Sequence, residues 1–229
     1  MQHVVTRKPT RSIAGIAFLL PIAAYAAGPS FDCAKASSDV EVAICGSTAL
    51  MAADRDIADA YGMARRRLDR QAGLALVQDQ RAFLLTRGYV LTPDNNRSAQ
   101  KRLLESMQNR ARFLQGIPAQ TRSGFAGQWG SVLGFVSVLA VGNGYEVSIN
   151  TVEPTIGRWV CDIDGTGTLV EGKLLVKNAG DRAVVQLSHD GELLKVETLP
   201  PPGIQNWHAP FCGSNGSLDG EYFPSAGAN

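Results

Sequence analysis

The sequence lacks the residue patterns that mark several large classes of protein. Its charges are nearly balanced, with 22 Lys and Arg against 21 Asp and Glu, so it has no basic excess of the kind typical of nucleic-acid binding. No serine stands in the G-x-S-x-G pattern of a hydrolase nucleophile, and no CxxC pair accompanies His189 or His208 to suggest zinc. These absences favour a binding protein over an enzyme, with neither metal nor cofactor.

The sequence also lacks an apolar run long enough to span a bilayer. Its longest, IAGIAFLLPIAAYA, has 14 residues, whereas roughly 20 are needed. The run follows the basic residues Arg7, Lys8 and Arg11 and ends on the small-x-small pattern of residues 24–26, as in a signal peptide. We therefore expect cleavage of residues 1–26 and a periplasmic or secreted mature chain, with a membrane anchor or a buried core helix as the alternatives.

Cysteine is scarce, and the four cysteines form an even set: Cys33, Cys45, Cys161 and Cys212. In an exported chain such a set predicts disulfide bonds. Four cysteines allow three pairings, and their spacing alone does not choose among them.

Charge and periodicity divide the mature chain into two parts. Residues 27–118 carry 13 basic and 10 acidic side chains, a balance of +3, whereas residues 119–229 carry 6 and 11, a balance of −5. The first part opens on the capping box Ser38-Asp39-Val40-Glu41. Apolar stripes between turn signals then predict four helices, at 39–45, 48–70, 72–87 and 98–115. These should form a small antiparallel bundle, a helical domain over residues 27–115.

The second part has the pattern of strands and tight turns. We expect a linker at 116–127, an antiparallel β domain at 128–224 and a tail at 225–229. Gly142-Asn143-Gly144 predicts a hairpin turn, and Asp164-Gly165 is interpreted as another rather than as part of a calcium loop. About eight strands follow one another, which is typical of a barrel or a sandwich. The predicted fold class is therefore α+β with two domains.

This division gives each domain one pair of cysteines, so the expected bridges are Cys33–Cys45 and Cys161–Cys212. The chain before Ser38 has no apolar periodicity, and the first bridge would fasten this arm to the end of the first short helix. In the chain-entropy model, closing the two loops stabilises the fold by about 3 and about 4 kcal/mol.

The helical part resembles a known family of exported proteins. The resemblance rests on four segments: FDCAK at 31–35, VEVAIC at 40–45, LMAAD at 50–54 and QRAFL at 80–84. These are similar to the N-terminal module of the LprI family of lysozyme inhibitors, which has a tryptophan at the position of Phe83 and a second cysteine pair. Arg102 stands where one of those further cysteines is expected. The resemblance covers residues 30–115 and implies the first disulfide.

The β part is similar to C-terminal domains that are often joined to that module. The likeness lies in the Gly-x-Trp opening and in the segments RWVCDIDGTG and FCGSNGSLDGEYF. Small-barrel lysozyme inhibitors insert a Ser-Gly-x-x-Tyr loop into the enzyme, whereas this chain has the different motif SLDGEY. That motif and NWHAPFCGSNGS are the candidate wedge, with these candidate partner-binding residues: Trp207, His208, Ser217, Asp219 and Tyr222. Alternatively, Trp207, Phe211 and Tyr222 cap the barrel.

The resemblance implies an exported inhibitor that occludes the cleft of lysozyme or a related peptidoglycan muramidase. The alternative is a periplasmic immunity or envelope-binding protein directed at another wall-degrading toxin or enzyme. The missing catalytic pattern argues against a third interpretation, a periplasmic hydrolase. The expected partner is a wall-degrading enzyme, with no nucleic acid and no stable membrane insertion after signal cleavage.

Overall fold

The computed structural model of the protein describes residues 28–91, 97–118, 123–178, 184–204 and 207–226. The predicted signal peptide, the predicted chain break at residues 93–96, the centre of the predicted linker and the last three residues of the tail lie outside the described residues. Within the described ranges the helices come first and the strands follow, so the α+β class is confirmed.

Four α-helices form the N-terminal part: α1 (Asp39–Cys45), α2 (Thr48–Arg67), α3 (Arg70–Thr86) and α4 (Arg97–Gln115). Short 3₁₀ helices lie at Cys33–Lys35 and Arg87–Leu91. The four predicted helices are confirmed, with small shifts at their ends. N-caps explain why the first three helices begin where they do, since each cap side chain accepts a backbone N–H of the first turn: Ser38, Ser47 and Asp69.

The predicted capping box at the start of α1 is present. Ser38 Oγ accepts the backbone N–H of Glu41 at 3.3 Å, and Glu41 Oε2 accepts the N–H groups of Ser37 and Ser38 at 2.9 and 3.0 Å. These bonds, with the Ser37 N–H contributing most, lower the pKa of Glu41 to about 2 because they stabilise the charged carboxylate. The start of α1 is therefore fixed by its own side chains.

Eight antiparallel strands form a closed barrel: β1 (Gly127–Gly130), β2 (Gly134–Val141), β3 (Gly144–Val152), β4 (Val160–Val170), β5 (Lys173–Lys177), β6 (Val184–Asp190), β7 (Leu193–Leu199) and β8 (Gly220–Ser225). Each strand pairs with the next, and β1 pairs with β8 to close the ring. Alternate residues, such as Val136 and Val138 of β2, fill the interior. Of the two predicted architectures, the barrel is the correct one.

The strand count agrees with the prediction, but two of the assignments were wrong. The predicted turn at Asp164-Gly165 does not exist, because β4 runs through it with Asp164 opposite Ser148 and Gly165 opposite Val147. A Cβ at Gly165 would lie 2.7 Å from the Lys177 carbonyl oxygen, so the glycine allows β5 to approach closely. The prediction therefore divided β4 into two strands. It also missed β1, which begins at the last residue of the predicted linker, so that the total stayed at eight.

The helical core continues into the barrel. Helix α2 packs on α4, and the cluster that contains Leu103 and Met107 of α4 also contains Leu193 of β7 and Phe223 of β8. The Phe223 ring contacts the Phe113 ring edge to face, with 6.3 Å between centroids. The predicted two-domain arrangement is therefore not confirmed, because the helical part and the barrel bury side chains against each other.

Polar contacts also join the helical part to the barrel. The Val132 N–H, in the β1–β2 turn, donates to Asp79 Oδ1 of α3 at 2.6 Å. The Asp69 N–H, at the start of α3, donates to Glu192 Oε2 in the β6–β7 turn at 2.8 Å. The two parts are thus connected by directional bonds as well as by apolar packing.

The described ends of the predicted linker take part in this packing. Ile117 is fully buried in the helical core, and Phe125 is buried in the barrel core. Only the segment between them, residues 119–122, falls outside the described ranges. On both sides of that segment the chain is tied into the fold by a large apolar side chain.

Both expected disulfides are confirmed: Cys33–Cys45, with 5.8 Å between Cα atoms, and Cys161–Cys212, with 4.0 Å. The first fastens the N-terminal arm, which is also held by Ser30, whose N–H and hydroxyl both donate to Asp54. Disulfides persist in oxidising compartments, so the two disulfides indicate a protein that works outside the cytoplasm. Among the described helices, none has the length and apolar character needed to cross a membrane.

Candidate partner-binding site

The long connection between β7 and β8 carries most of the candidate residues. It spans residues 200–219, of which 200–204 and 207–219 are described. We call residues 207–219 the anchored loop, because the Cys161–Cys212 disulfide joins its centre to β4. Cys161 itself is fully buried in the barrel core. The loop is therefore attached to the core of the barrel.

Backbone hydrogen bonds on both sides of the disulfide strengthen this attachment. The Asp162 N–H of β4 donates to Phe211 O, and the Gly213 N–H of the loop donates to Val160 O, both at 2.9 Å. These two bonds extend the β-type pairing that the cysteines begin. The loop thus continues the sheet for a short distance before it turns away.

Two tight turns then fold the loop back on itself. The Cys212 N–H donates to Ala209 O at 3.0 Å, and the Gly216 N–H donates to Gly213 O at 2.8 Å. Asn215 adopts the left-handed conformation, with φ of 65°, which asparagine tolerates better than most residues. A Cβ at Gly216 would lie 2.8 Å from Cys161 Sγ. Glycine is therefore required where the loop passes the disulfide.

The C-terminal end of the loop is fixed by side-chain bonds. Ser217 O accepts the Thr151 hydroxyl at 3.0 Å, and Ser217 Oγ accepts the Asp219 N–H at 3.0 Å. Asp219 Oδ1 accepts the Thr198 N–H of β7 at 2.7 Å. Because a hydroxyl both donates and accepts, Ser217 keeps its O–H proton for a further acceptor.

Four of the five candidate residues line one cleft of about 460 Å³: Trp207, His208, Ser217 and Asp219. The Trp207 ring contacts the Phe211 ring edge to face, with 6.4 Å between centroids, and Phe211 in turn packs against the barrel core. The His208 side chain is exposed. The cleft thus combines an aromatic ring held by packing, an imidazole, a hydroxyl and a carboxylate.

Tyr222 does not belong to this cleft, and its expected role is wrong in this respect. Its side chain is fully buried in the barrel core, and its hydroxyl donates to Leu218 O at 2.8 Å. Burial raises the pKa of the Tyr222 hydroxyl well above its ordinary value. The alternative reading, in which this residue completes the barrel core, is the correct one. Its hydroxyl is already engaged in the hydrogen bond to Leu218 of the loop.

Sequence reasoning missed one polar residue of the cleft. Thr198 of β7 lines it, and its buried Oγ1 has no hydrogen-bond partner among the described residues. A buried hydroxyl without a partner is unfavourable unless water or a ligand satisfies it. Strand alternation was the only available signal, and it does not reveal which strand end faces a cleft.

Sequence reasoning also missed exposed apolar residues next to the anchored loop. Val152 and Val160 are opposite each other on β3 and β4, and both are exposed, as is Ile156 in the turn between those strands. Glu153 holds this turn, because its carboxylate accepts the Thr155 hydroxyl and the Ile156 N–H. These two bonds lower the pKa of Glu153 to about 2, and the bond from the Thr155 hydroxyl contributes most. The apolar side chains are therefore presented on an ordered turn.

His189 lies away from the candidate site. It is the penultimate residue of β6, and its ring packs 4.7 Å from Phe125 and 5.6 Å from Trp129, between centroids. Its side chain is exposed. Across the described ranges, no group of three or more His, Cys, Asp or Glu residues is placed to hold a metal ion.

Comparison of the chain with known proteins finds no match among models of protein families, curated proteins or solved structures. The resemblance to the LprI family therefore stays a prediction that rests on the four quoted segments.

Proposed function

We propose that this protein is a periplasmic or secreted inhibitor of lysozyme or a related peptidoglycan muramidase, which acts by inserting the anchored loop into the active-site cleft of the enzyme. The observation that carries the proposal is the position of Trp207, His208 and Ser217 around one cleft on a loop that a disulfide fastens to the barrel. The protein binds its partner without chemical turnover, and the sequence resemblance implies the same activity.

The side chains of the loop suit the chemistry of a muramidase cleft. Such enzymes cleave the glycosidic bond with two carboxyl groups, one of them protonated. The Ser217 hydroxyl and the His208 imidazole offer N–H and O–H donors to these oxygens. The Trp207 ring fills the apolar space where a sugar ring would lie. Asp219 would be repelled by the same carboxyl groups, so we assign it a positioning role through its bond to the Thr198 N–H.

Rigidity and charge favour this mode of binding. A loop that is already held by a disulfide, two turns and side-chain bonds loses little conformational entropy when it docks. Residues 119–229 carry a balance of −5, which attracts a basic enzyme over a distance of about 10 Å at moderate salt. Exposed Val160 and Ile156 beside the loop add apolar area to the contact.

The test is inhibition of a panel of lysozymes by the purified mature chain and by single variants. Trp207→Ala and Ser217→Ala should raise the inhibition constant about tenfold or more, as expected for truncation of residues at the centre of an interface. Tyr222→Phe should fold less stably by about 1 kcal/mol because it loses one buried hydrogen bond. It should inhibit like the parent protein, since the Tyr222 hydroxyl does not reach the cleft.

Ser148→Ala serves as the matched control for Ser217→Ala, because Ser148 lies on β3 outside the loop. If Trp207→Ala and Ser217→Ala both fold and inhibit like the parent, the anchored loop is not the binding element. If the parent inhibits no lysozyme, capture of a different wall-degrading enzyme or toxin by the immobilised chain would support the alternative of an immunity or envelope-binding protein.

A further inference from the structure

A second and larger cleft lies between the helical part and the barrel, away from the anchored loop. Its volume is about 1020 Å³, and it is bounded by α3 and α4 on one side and by β1 and β2 on the other. Aromatic side chains form much of its wall: Phe83, Phe113, Trp129 and Phe135. The proposed inhibitory function makes no use of this cleft.

Arg110 of α4 is the buried cation of this cleft, and its side chain is only 4% exposed. Its Nη1 lies 2.6 Å from Asp79 Oδ2, and its Nε donates to Gln80 Oε1 at 2.9 Å. The guanidinium carbon lies 5.3 Å from the centroid of the Phe83 ring and 5.0 Å from that of the Phe113 ring. The guanidinium is thus held between two aromatic rings in a fixed orientation.

One end of this guanidinium makes no hydrogen bond to the described part of the chain. Arg110 Nη2 is buried and has no hydrogen-bond partner among the described residues. A buried donor without an acceptor costs free energy, and more so when it carries charge. Because Nε and Nη1 are already engaged, Nη2 is the donor of Arg110 that an acceptor bound in the cleft would use.

The charges around the cleft indicate which acceptor fits. The described residues that line it include two cations, Arg110 and Arg112, and no Asp or Glu. Asp79, which does not line the cleft, partly neutralises the Arg110 charge through its Oδ2. Its Oδ1 accepts the Val132 N–H. Arg112 is exposed and adds positive potential at the rim. An anion is therefore attracted, and the aromatic wall favours one with an apolar body.

We propose that this cleft binds a small carboxylate that carries an apolar or aromatic body. The carboxylate accepts a charge-assisted hydrogen bond from Arg110 Nη2, and the body packs against Phe113 and Phe135. Inorganic phosphate is a poorer fit, because it needs several converging donors and gains nothing from an aromatic wall. The same chemistry is offered by a free carboxylic acid and by the C-terminus of a peptide.

Titration calorimetry of the mature chain tests the proposal with defined probes. N-acetylphenylalanine represents the free acid, acetyl-Gly-Gly-Phe the peptide C-terminus, and N-acetylphenylalaninamide the same body without the carboxylate. At least one acid should bind about tenfold more tightly than the amide, and inorganic phosphate should not bind. If only the longer probe binds, the ligand is a peptide. Equal binding of acid and amide, or no binding of either acid, would overturn the proposal.

A pair of variants locates the binding. Arg110→Met removes the donor but also leaves Asp79 buried without its counter-charge, so the more informative change is on the barrel side. Phe135→Glu places a carboxylate on the exposed cleft wall and should weaken binding of the acid about tenfold or more. Val141→Glu is the matched control, because Val141 is exposed on the same strand and does not line the cleft. If both variants weaken binding equally, the acid binds elsewhere.

Discussion

At the scale of single residues, Asp79 shows how burial turns an ordinary acidic residue into a connecting element. Its side chain, 8% exposed, faces the Arg110 guanidinium with one oxygen and accepts the Val132 N–H with the other. Asp79→Ala removes both contacts and leaves a buried cation unpaired. We therefore expect a loss of about 3 kcal/mol or more in the free energy of unfolding, measured by urea denaturation.

Asp59→Ala is the control for this change, because Asp59 is exposed on α2. Its free energy of unfolding should stay within about 0.5 kcal/mol of the parent value. Equal stability of the two variants would mean that Asp79 does not join the helical part to the barrel.

Glu41 makes a prediction about pH at the same scale. The backbone N–H groups of Ser37 and Ser38 lower its folded-state pKa to about 2, from an ordinary value of 4.5. A carboxylate with a lowered folded-state pKa stabilises the fold above its unfolded pKa, and this stabilisation is lost as the pH falls from 4.5 through about 2. An NMR titration should give a midpoint for Glu41 near the lower value.

Glu41→Gln tests the same prediction through stability. The variant should lose less free energy of unfolding than the parent over this acidic range, because it has no carboxylate to protonate. Two results together would contradict the prediction: a Glu41 midpoint close to 4.5, and an equal loss of unfolding free energy in the parent and the variant as the pH falls. The capping box would then not lower the pKa of Glu41.

At the scale of elements, local signals in the sequence account for what could be predicted. The helices are fixed by caps and apolar stripes that lie within a few residues of one another, and the β2–β3 hairpin by its Gly142-Asn143 turn. The Asp-Gly pair at 164–165 carries the same kind of signal but sits inside β4, because the continuous pairing of β4 with β3 from Val160 to Gly167 outweighs a local turn preference. The short strand β1 has two glycines and too few residues to show alternation.

The candidate site was predictable to a similar extent. The loop composition identified Trp207, His208 and Ser217, which the structure brings around one cleft. Tyr222 was misplaced because both faces of β8 are covered: Tyr222 points into the barrel, and Phe223 packs on the helices. Alternation along one strand cannot reveal that a helix covers the outer face, since that depends on long-range packing.

Gly165 tests the reason given for the unbroken β4. A Cβ there would lie 2.7 Å from the Lys177 carbonyl oxygen, a backbone atom that cannot turn aside. Gly165→Ala should therefore destabilise the protein by about 1 to 3 kcal/mol, the range of overpacking changes. Gly73→Ala in α3 is the control, and its effect on the free energy of unfolding should have the opposite sign. Its Cβ meets nothing within 4 Å, so it should stabilise the protein by up to about 1 kcal/mol. A tolerated Gly165→Ala would argue for a looser β4–β5 pair.

At the scale of the whole molecule, the helical part packs on strands of the barrel other than the one that holds the disulfide of the anchored loop. The helical core takes in Leu193 of β7 and Phe223 of β8, whereas the loop is fixed to β4 through Cys161. The helical part therefore supports the barrel without covering the proposed binding loop. Its removal would expose Phe223 and leave the Val132 N–H without its acceptor, so the barrel is not expected to be stable alone.

This dependence predicts a single unfolding transition rather than two. The helices dominate the circular dichroism at 222 nm, and all three tryptophans, Trp129, Trp159 and Trp207, lie in the barrel part. The two signals thus report separately on the two parts. Their midpoints in urea should coincide, because Phe223 and Leu193 are buried in the helical core and neither part keeps that core without the other.

Phe223→Ala sharpens the test. Truncation of a fully buried phenylalanine should cost about 3 to 5 kcal/mol, and because Phe223 lies in the shared core, both midpoints should move together. Val138→Ala, inside the barrel and away from the helices, should also move both midpoints if unfolding is cooperative. If Val138→Ala moves the fluorescence midpoint alone, the barrel and the helical part are separate folding units, as the two-domain prediction requires.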